Sequence, residues 1–238
     1  MKILTCLSVV AALDAAGPLL RVLCIVGSLL TWLAGGDVLA HGIQTRGARQ
    51  GWSTFLGGSG TDTAQAVAAD SAGNLYVAGS SGASWGEPLR AHAGGDDAFV
   101  AKLSAAGVLQ WVTFLGSSDD DAAEAVAVDA TGDVWVAGTS DATWGSPLNA
   151  HAGGDHDGFV ARLDTSGNLV WHTFLGSSLA DEAKALAVSE TGAVFVAGTS
   201  KGTWGSPISA HAGSNEVYVA RLENSGTLVW NTFMGSGS

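Results

Sequence analysis

The sequence predicts an all-β protein built from four-stranded antiparallel units repeated in series, and three observations carry this reading. The phrase Trp52-Ser-Thr-Phe-Leu-Gly recurs as Trp111-Val-Thr-Phe-Leu-Gly, Trp171-His-Thr-Phe-Leu-Gly and Trp230-Asn-Thr-Phe-Met-Gly, at spacings of 59, 60 and 59 residues. A fixed period of that size marks a repeat architecture. Each period also holds four short runs of alternating apolar residues separated by Gly-containing turns. Finally, Gly is abundant (34) and Pro scarce (4) in the 238 residues, without Gly at every third position. That suits tightly turned sheet and excludes collagen.

In chain order, residues 1–40 stand apart from the rest. Lys2 precedes an apolar run, Asp14, Pro18 and Arg21 interrupt it, and residues 22–33 are apolar again. Val38-Leu39-Ala40 resembles a small-residue cleavage site before His41, so the segment reads as a secretory signal peptide or, if uncleaved, as an N-terminal membrane anchor. Each apolar run is shorter than the roughly 20 residues of a spanning helix. The expected location is secreted, periplasmic or cell surface. Cys6 and Cys24, the two cysteines, both lie in this segment. Its removal leaves no disulfide, no thiol nucleophile and no thiolate metal site. Residues 41–51 read as a linker and Trp52–Gly57 as one extra strand.

The repeats follow, over about 58–116, 117–176 and 177–235. In the middle copy Glu124-Ala-Val-Ala-Val-Asp129, a Gly132 turn and Val134-Trp-Val-Ala-Gly138 form one hairpin. Gly158-Phe-Val-Ala-Arg-Leu163, a Gly167 turn and Leu169–Leu175 form a second. The strands are named a to d in each copy. Asp70, Asp129 and Asp164 precede their turn Gly by three residues, where a carboxylate accepts backbone N–H bonds; they read as turn formers. Strand a places Ala at alternate positions (Ala64, Ala66, Ala68; Ala123, Ala125, Ala127; Ala183, Ala185, Ala187), whereas strand d carries Trp and Phe. A sheet narrow at one edge and wide at the other is a wedge, and wedges repeated around an axis are the blades of a β-propeller. Three blades plus one strand make a partial or open propeller, since propellers typically have four to eight blades. The missing blades are expected from a longer chain, from oligomerisation, or not at all in an open arc. The first is favoured, because Gly235-Ser-Gly-Ser follows a d strand as a break between blades would.

The phrases Thr-Phe-Leu-Gly-Gly-Ser-Gly-Thr-Asp (54–62), Asp-Ala-Phe-Val-Ala-Lys-Leu (97–103) and Ala-Val-Ala-Val-Asp-Ala-Thr-Gly-Asp-Val-Trp-Val-Ala-Gly (125–138) resemble the bacterial SBBP family, named for seven-bladed β-propeller repeats. The resemblance covers about residues 52–238. It implies a secreted or surface propeller and supplies no catalytic residues. Trp-Gly-x-Pro here replaces the Phe-Pro more common in the family.

Candidate site residues lie on one face. Strand direction reverses at each step, so the b–c and d–a connections share a face, and they hold the unusual residues. The b–c loops repeat Trp85, Trp144 and Trp204, followed by His92, His151 and His211 seven residues later. The Trp rings could stack on a glycan, but near-identical repetition points rather to plugs between neighbouring blades. The His residues suit loop hydrogen bonds better than a shared metal, because symmetry-related ligands converge within bonding distance only near the axis. Asp62, Asp121 and Asp181 in the d–a loops, with Asp96 and Asp155 in the b–c loops, form oxygen-rich clusters of the type Ca²⁺ takes. Their alternative role is to hydrogen-bond their own loops. Apart from such a Ca²⁺ ion, no cofactor is implied.

Net charge is −12, which disfavours a nucleic-acid partner. Gly82-Ala-Ser84-Trp-Gly86 matches a nucleophile-elbow pattern, but the equivalent segments carry Thr143 and Thr203 and no strand-to-helix turn is expected. The leading expectation is a non-enzymatic extracellular or cell-surface module that binds a protein or surface glycan through this loop face. Membrane contact would come only through an uncleaved N-terminal segment. The alternative is a fragment of a polysaccharide-active hydrolase or lyase whose catalytic residues lie in absent blades, although so uniform a repeat argues against an asymmetric active site.

Overall fold

The computed structural model describes residues 9–12, 21–24 and 50–235, and no helix occurs among them. In the N-terminal unit β1 (Val9–Ala12) pairs antiparallel with both β2 (Arg21–Cys24) and β3 (Gln50–Thr54). The extra strand read from the Trp52 phrase therefore exists as β3, and its partner is β1 rather than a blade strand. The rest of the signal or anchor segment and most of the linker lie outside the described residues. Among the described residues no helix is long and apolar enough to cross a membrane.

Residues from Gly57 onward form the second unit. It contains three four-stranded sheets, each a plain antiparallel meander. Blade 1 is β4 (Asp62–Ala69), β5 (Leu75–Ser81), β6 (Asp97–Leu103) and β7 (Leu109–Leu115). Blade 2 is β8 (Asp121–Val128), β9 (Val134–Ser140), β10 (Asp157–Leu163) and β11 (Leu169–Leu175). Blade 3 is β12 (Asp181–Val188), β13 (Val194–Ser200), β14 (Glu216–Leu222) and β15 (Leu228–Met234). The d strands match the expected bounds. Strands a, b and c are longer at the loop face, where Gly, Ser and Thr break the apolar alternation while the ladder continues, as in Asp62↔Ser81 and Asp121↔Ser140.

The tight turns follow the expected chemistry. Asp129 Oδ1 accepts from the N–H groups of Thr131 and Asp133 at 2.9 and 3.1 Å, and Oδ2 from the Trp135 indole at 3.0 Å. Asp70 and Asp164 hold their turns in the same way. Gly132 has φ +88°, a conformation L side chains rarely adopt.

The blades stack in series. Strand β8 lies on β4, β5 and β6, and β12 lies on β8, β9 and β10. Small side chains on strand a let each blade approach its predecessor, and Ala123 and Ala183 are fully buried there. One core fills the first seam: Tyr76, Ala78 and Val100 of blade 1 meet Val134, Val136, Phe159 and Leu163 of blade 2. A second core fills the next with Trp135, Ala137 and Val160 against Val194, Val196, Tyr218 and Leu222. Each fully buried large side chain is worth about 1.5–3 kcal/mol, so the seams are principal sources of stability.

Candidate functional site on the acidic loop face

The long b–c loop turns back along its own blade. Leu89 N–H donates to Val112 O at 2.9 Å and Phe114 N–H to Arg90 O at 3.2 Å, and the same pair of bonds recurs at Leu148/Phe174 and Ile208/Phe233. The loop thereby covers part of the free edge of strand d, which would otherwise offer unpaired backbone groups to other chains.

The loop tryptophans are buried: Trp85 is 8 %, Trp144 4 % and Trp204 7 % exposed. Trp85 packs edge-on against Phe99 and Phe114, Trp144 against Phe159 and Phe174, and Trp204 against Tyr218 and Phe233. Each packs on aromatic rings of its own blade, Trp144 and Trp204 also join the seam cores, and none offers a ring face for stacking a glycan in this structure. His172 stacks on Trp144 at 3.7 Å between ring centroids and bonds Trp144 O through Nε2 at 2.7 Å. Burial holds the His172 pKa below its ordinary value, so this imidazole is neutral at pH 7.

The loop histidines are likewise structural. Nε2 of His92, His151 and His211 lies 3.0, 3.1 and 3.0 Å from the carbonyl oxygen of Ser81, Ser140 and Ser200 respectively. Each ties the returning loop to the end of strand b. The three do not converge.

The repeated d–a acids pin their own loops. Asp62 Oδ2 accepts from Gly58 N–H at 3.0 Å, and Asp121 Oδ2 and Asp181 Oδ2 accept from the N–H and Oγ–H of Ser117 and Ser177. Ser81 and Ser200 donate to the other oxygen of Asp62 and Asp181. A second set of acids, which sequence reading counts among the acids ending the b–c loops, begins strand c: Asp97, Asp157 and Glu216. Each bonds the b–c loop, through the N–H of Ala93, Ala152 and Ala212. Each stands two residues before the aromatic of its c strand, Phe99, Phe159 and Tyr218.

These two sets meet at the seams. A Cβ placed on Gly116 would stand 2.7 Å from Asp121 Oδ2 and 2.9 Å from Asp97 Oδ1, and Gly176 lies likewise against Asp157 and Asp181. Each seam thus holds two buried carboxylates, one from either blade. Burial pushes the Asp121 carboxyl up to about 6 and raises Asp97 and Asp157 as well, with the facing acid adding to the shift at Asp121 and Asp157. At the first seam the Arg90 guanidinium, bonded to Phe114 O and Gly116 O, offsets part of this charge. Asn149 stands in the equivalent place at the second and bonds Thr173 instead.

Above the first seam lies an open cleft of about 170 Å³ lined by Asp96, Asp120, Asp121, Asp141, Glu182, His156, Ser80 and Thr139 among others. Backbone bonds fix its walls: Asp121 N–H to Asp96 O at 2.6 Å and Asp141 N–H to Asp120 O at 3.1 Å. Asp120 Oδ1 accepts from Asp96 N–H at 3.0 Å. Partial burial, together with the charges of Asp120 and Asp119, raises the Asp141 pKa, while His156 pulls against them. Burial also works upward on Glu182, but the Thr199 hydroxyl and the Lys184 ammonium outweigh it and lower the pKa. The proposed calcium ligands are therefore divided: Asp96 and Asp121 line the cleft, while Asp62 and Asp181 serve their own loops and Asp155 lies exposed on its loop. Among the described residues no three His, Cys, Asp or Glu side chains converge to hold an ion. The cleft's chemistry is that of several carboxylates facing an open cleft.

Comparison with known proteins places the fold. The SBBP family, described as a beta-propeller repeat, matches residues 51–84, and the chain carries that repeat. Regulatory protein FlaEY of Caulobacter vibrioides is 31 % identical over 121 residues, which are 49 % of this chain and 12 % of that protein. The chain thus matches only a small part of the length of that relative.

Proposed function

We propose that this chain of SBBP beta-propeller repeats is a non-catalytic binding and scaffold module of the cell exterior, and that it engages a protein partner through the b–c and d–a loop face. The observation that carries the reading is the acidic cleft, whose walls come from all three blades: Asp96 from blade 1, Asp121 and Asp141 from blade 2, and Glu182 from blade 3. Fixed carboxylates around an opening focus negative potential and attract cationic groups. Lysine and arginine side chains of a protein supply such groups, whereas neutral glycans do not, and the buried tryptophans remove the stacking surface that a glycan reading relied on. The name of the FlaEY relative, a regulatory protein, is in keeping with a binding role. The seam carboxylates resemble an acid–base pair, but Asp97, Asp121, Asp157 and Asp181 are 2 % exposed or less, and the arrangement repeats at both seams. Of the four, Asp121 alone borders the cleft, and its facing carboxylate Asp97 does not.

The test is a titration with an arginine- and lysine-rich peptide and a neutral peptide of equal length, read by fluorescence anisotropy. Binding of the basic peptide alone is expected, weakening as salt rises. Loss of about tenfold or more in affinity is expected in the double variant Asp120→Asn/Asp141→Asn. Equal binding of both peptides, or full binding by the variant, would remove the cleft as the site.

A further inference from the structure

The two seams share one backbone plan but not the same charges. At the first, Asp97 of blade 1 faces Asp121 of blade 2, and Arg90 lies beside them, donating to Phe114 O and Gly116 O at 2.9 and 3.1 Å. At the second, Asp157 of blade 2 faces Asp181 of blade 3, and both are fully buried. In the place of Arg90 stands Asn149, which bonds the Thr173 hydroxyl. A second exchange accompanies this one: the seam position of Phe159 is taken by Tyr218. The seam that loses a guanidinium gains a hydroxyl.

Two groups at the second seam lack partners. Asp157 Oδ2 accepts from Ala152 N–H, but Oδ1 is buried with no hydrogen bond. That oxygen lies against the position a Cβ on Gly176 would take, and Asp181 Oδ2 is 3.0 Å from the same point. The Tyr218 hydroxyl is also buried and unpartnered, 3.1 Å from where a Cβ on Gly158, the neighbour of Asp157, would stand. Burial, followed by the charges of Asp181 and Asp157, raises its pKa, so it sits in the field of both carboxylates. Asp97 Oδ1 is likewise without a hydrogen bond at the first seam, but there Arg90 supplies positive charge.

Among the described residues no Lys or Arg pairs with Asp157 or Asp181. The hydrogen bonds of His151 make it neutral: Nδ1, 3.7 Å from Asp157 Oδ2, accepts from Gly153 N–H at 3.0 Å, and Nε2 carries the proton that goes to Ser140 O. His156 lies against Glu182, and Lys184 lies between Glu182 and Glu124. A buried pair of carboxylates with no counter-charge is strongly unfavourable.

We propose that the seam between blades 2 and 3 binds one hard divalent cation of the Ca²⁺ class between Asp157 and Asp181, with the Tyr218 hydroxyl as a further oxygen donor. Two carboxylates match the charge of one such ion, and main-chain and water oxygens complete a shell of the kind Ca²⁺ takes. Arg90 is the protein's own counterpart of the ion at the first seam. The site is separate from the acidic cleft, which Asp157, Asp181 and Tyr218 do not line. An ion held by two blades only in the folded state adds to stability as its concentration rises.

Isothermal titration of the chelator-treated chain with CaCl2 at neutral pH, and thermal unfolding in EDTA and in CaCl2, test this. The expected result is one ion per chain and a higher melting temperature in CaCl2. Asp157→Asn should weaken binding at least about tenfold. Asn149→Arg, which rebuilds the first-seam arrangement, should abolish the calcium response with a melting temperature in EDTA no lower than the parent's; it keeps the test open if Asp157→Asn fails to fold. Asp97→Asn and the cleft variant Asp120→Asn/Asp141→Asn should bind calcium as the parent does. Absence of calcium binding overturns the proposal, as does binding unchanged in Asn149→Arg or Asp157→Asn. Binding lost in the cleft variant but kept in Asp157→Asn would put the ion in the cleft and overturns it too.

Discussion

Burial holds the Asp121 carboxyl at a pKa of about 6, against hydrogen bonds from Ser140 and Ser117 that pull it down. An ordinary aspartate titrates near 3.9. The folded state therefore binds the proton more tightly than the unfolded chain. Between pH 4 and pH 6 stability falls as pH rises, and above pH 6 the full penalty is present. Asp121→Asn keeps an oxygen acceptor for Ser117 and removes the charge. We expect this variant to be more stable than the parent at pH 8, on the order of 1–3 kcal/mol, and to differ little at pH 4. Thermal unfolding at the two pH values measures this; an equal shift at both would show that the charge is not the cause. The turn acids have the opposite sign. Burial works upward on Asp70 and Asp129 too, but their hydrogen bonds outweigh it and lower the pKa, so their contribution is lost below about pH 4. The turn role of Asp129 was legible in sequence because it needs only neighbours four residues away. The seam role of Asp121 was not, because its facing carboxylate, Asp97, is 24 residues distant and on another blade.

At the level of the strand, the decisive local feature is a bulge. Strand a slips register between Ala123 and Ala125 as it pairs with strand b, and the same slip occurs in the other two blades. Gly138 sits opposite, and a Cβ there would fall on the carbonyl oxygen of Ala122. Glycine is thus required by close backbone approach. Gly138→Ala is expected to destabilise by at least about 1–3 kcal/mol, visible as a lowered urea midpoint; an unchanged midpoint would mean the bulge can shift at no cost. The bulge re-aims strand a so that its loop-face end delivers Asp121 and Ala123 to the seam. Periodicity located the strands but ended strand b near this glycine, because alternation is lost where the backbone packs without side chains. The b–c loop shows the same limit. Its repetition was plain, but its pairing with strand d was not, since residues 89 and 90 bond through backbone groups that carry no sequence signature.

Across the whole molecule, 22 acidic residues against 10 basic ones leave a net charge of −12. Among the described residues few of the acids are matched by Lys or Arg: Arg162 meets Asp133 at 2.5 Å, and Lys184 lies between Glu124 and Glu182 at 3.6 and 3.5 Å. Self-repulsion opposes the compact state, and salt screens it. Raising sodium chloride from about 10 to about 200 mM at neutral pH is expected to raise the melting temperature by a few degrees. A lowered melting temperature would show that attractive pairs outweigh repulsion. The exposed residues of blade 3 also belong to this scale. Phe195 and Met234 read as ordinary core residues in any single repeat, and only the stacking order shows that no described blade lies over them.

Sixty-residue periodicity, Gly-centred turns and alternating alanines were enough to determine the antiparallel blades, because these features act between residues close in sequence or identical from copy to copy. A packing role for the loop tryptophans and a loop-bonding role for the histidines were favoured by the same repetition. Tertiary structure alone decided which acids meet at a seam, where a cleft opens and which blade side stays uncovered. Each of those depends on two blades brought together by burial of apolar surface, and that force carries no directional mark in the local sequence.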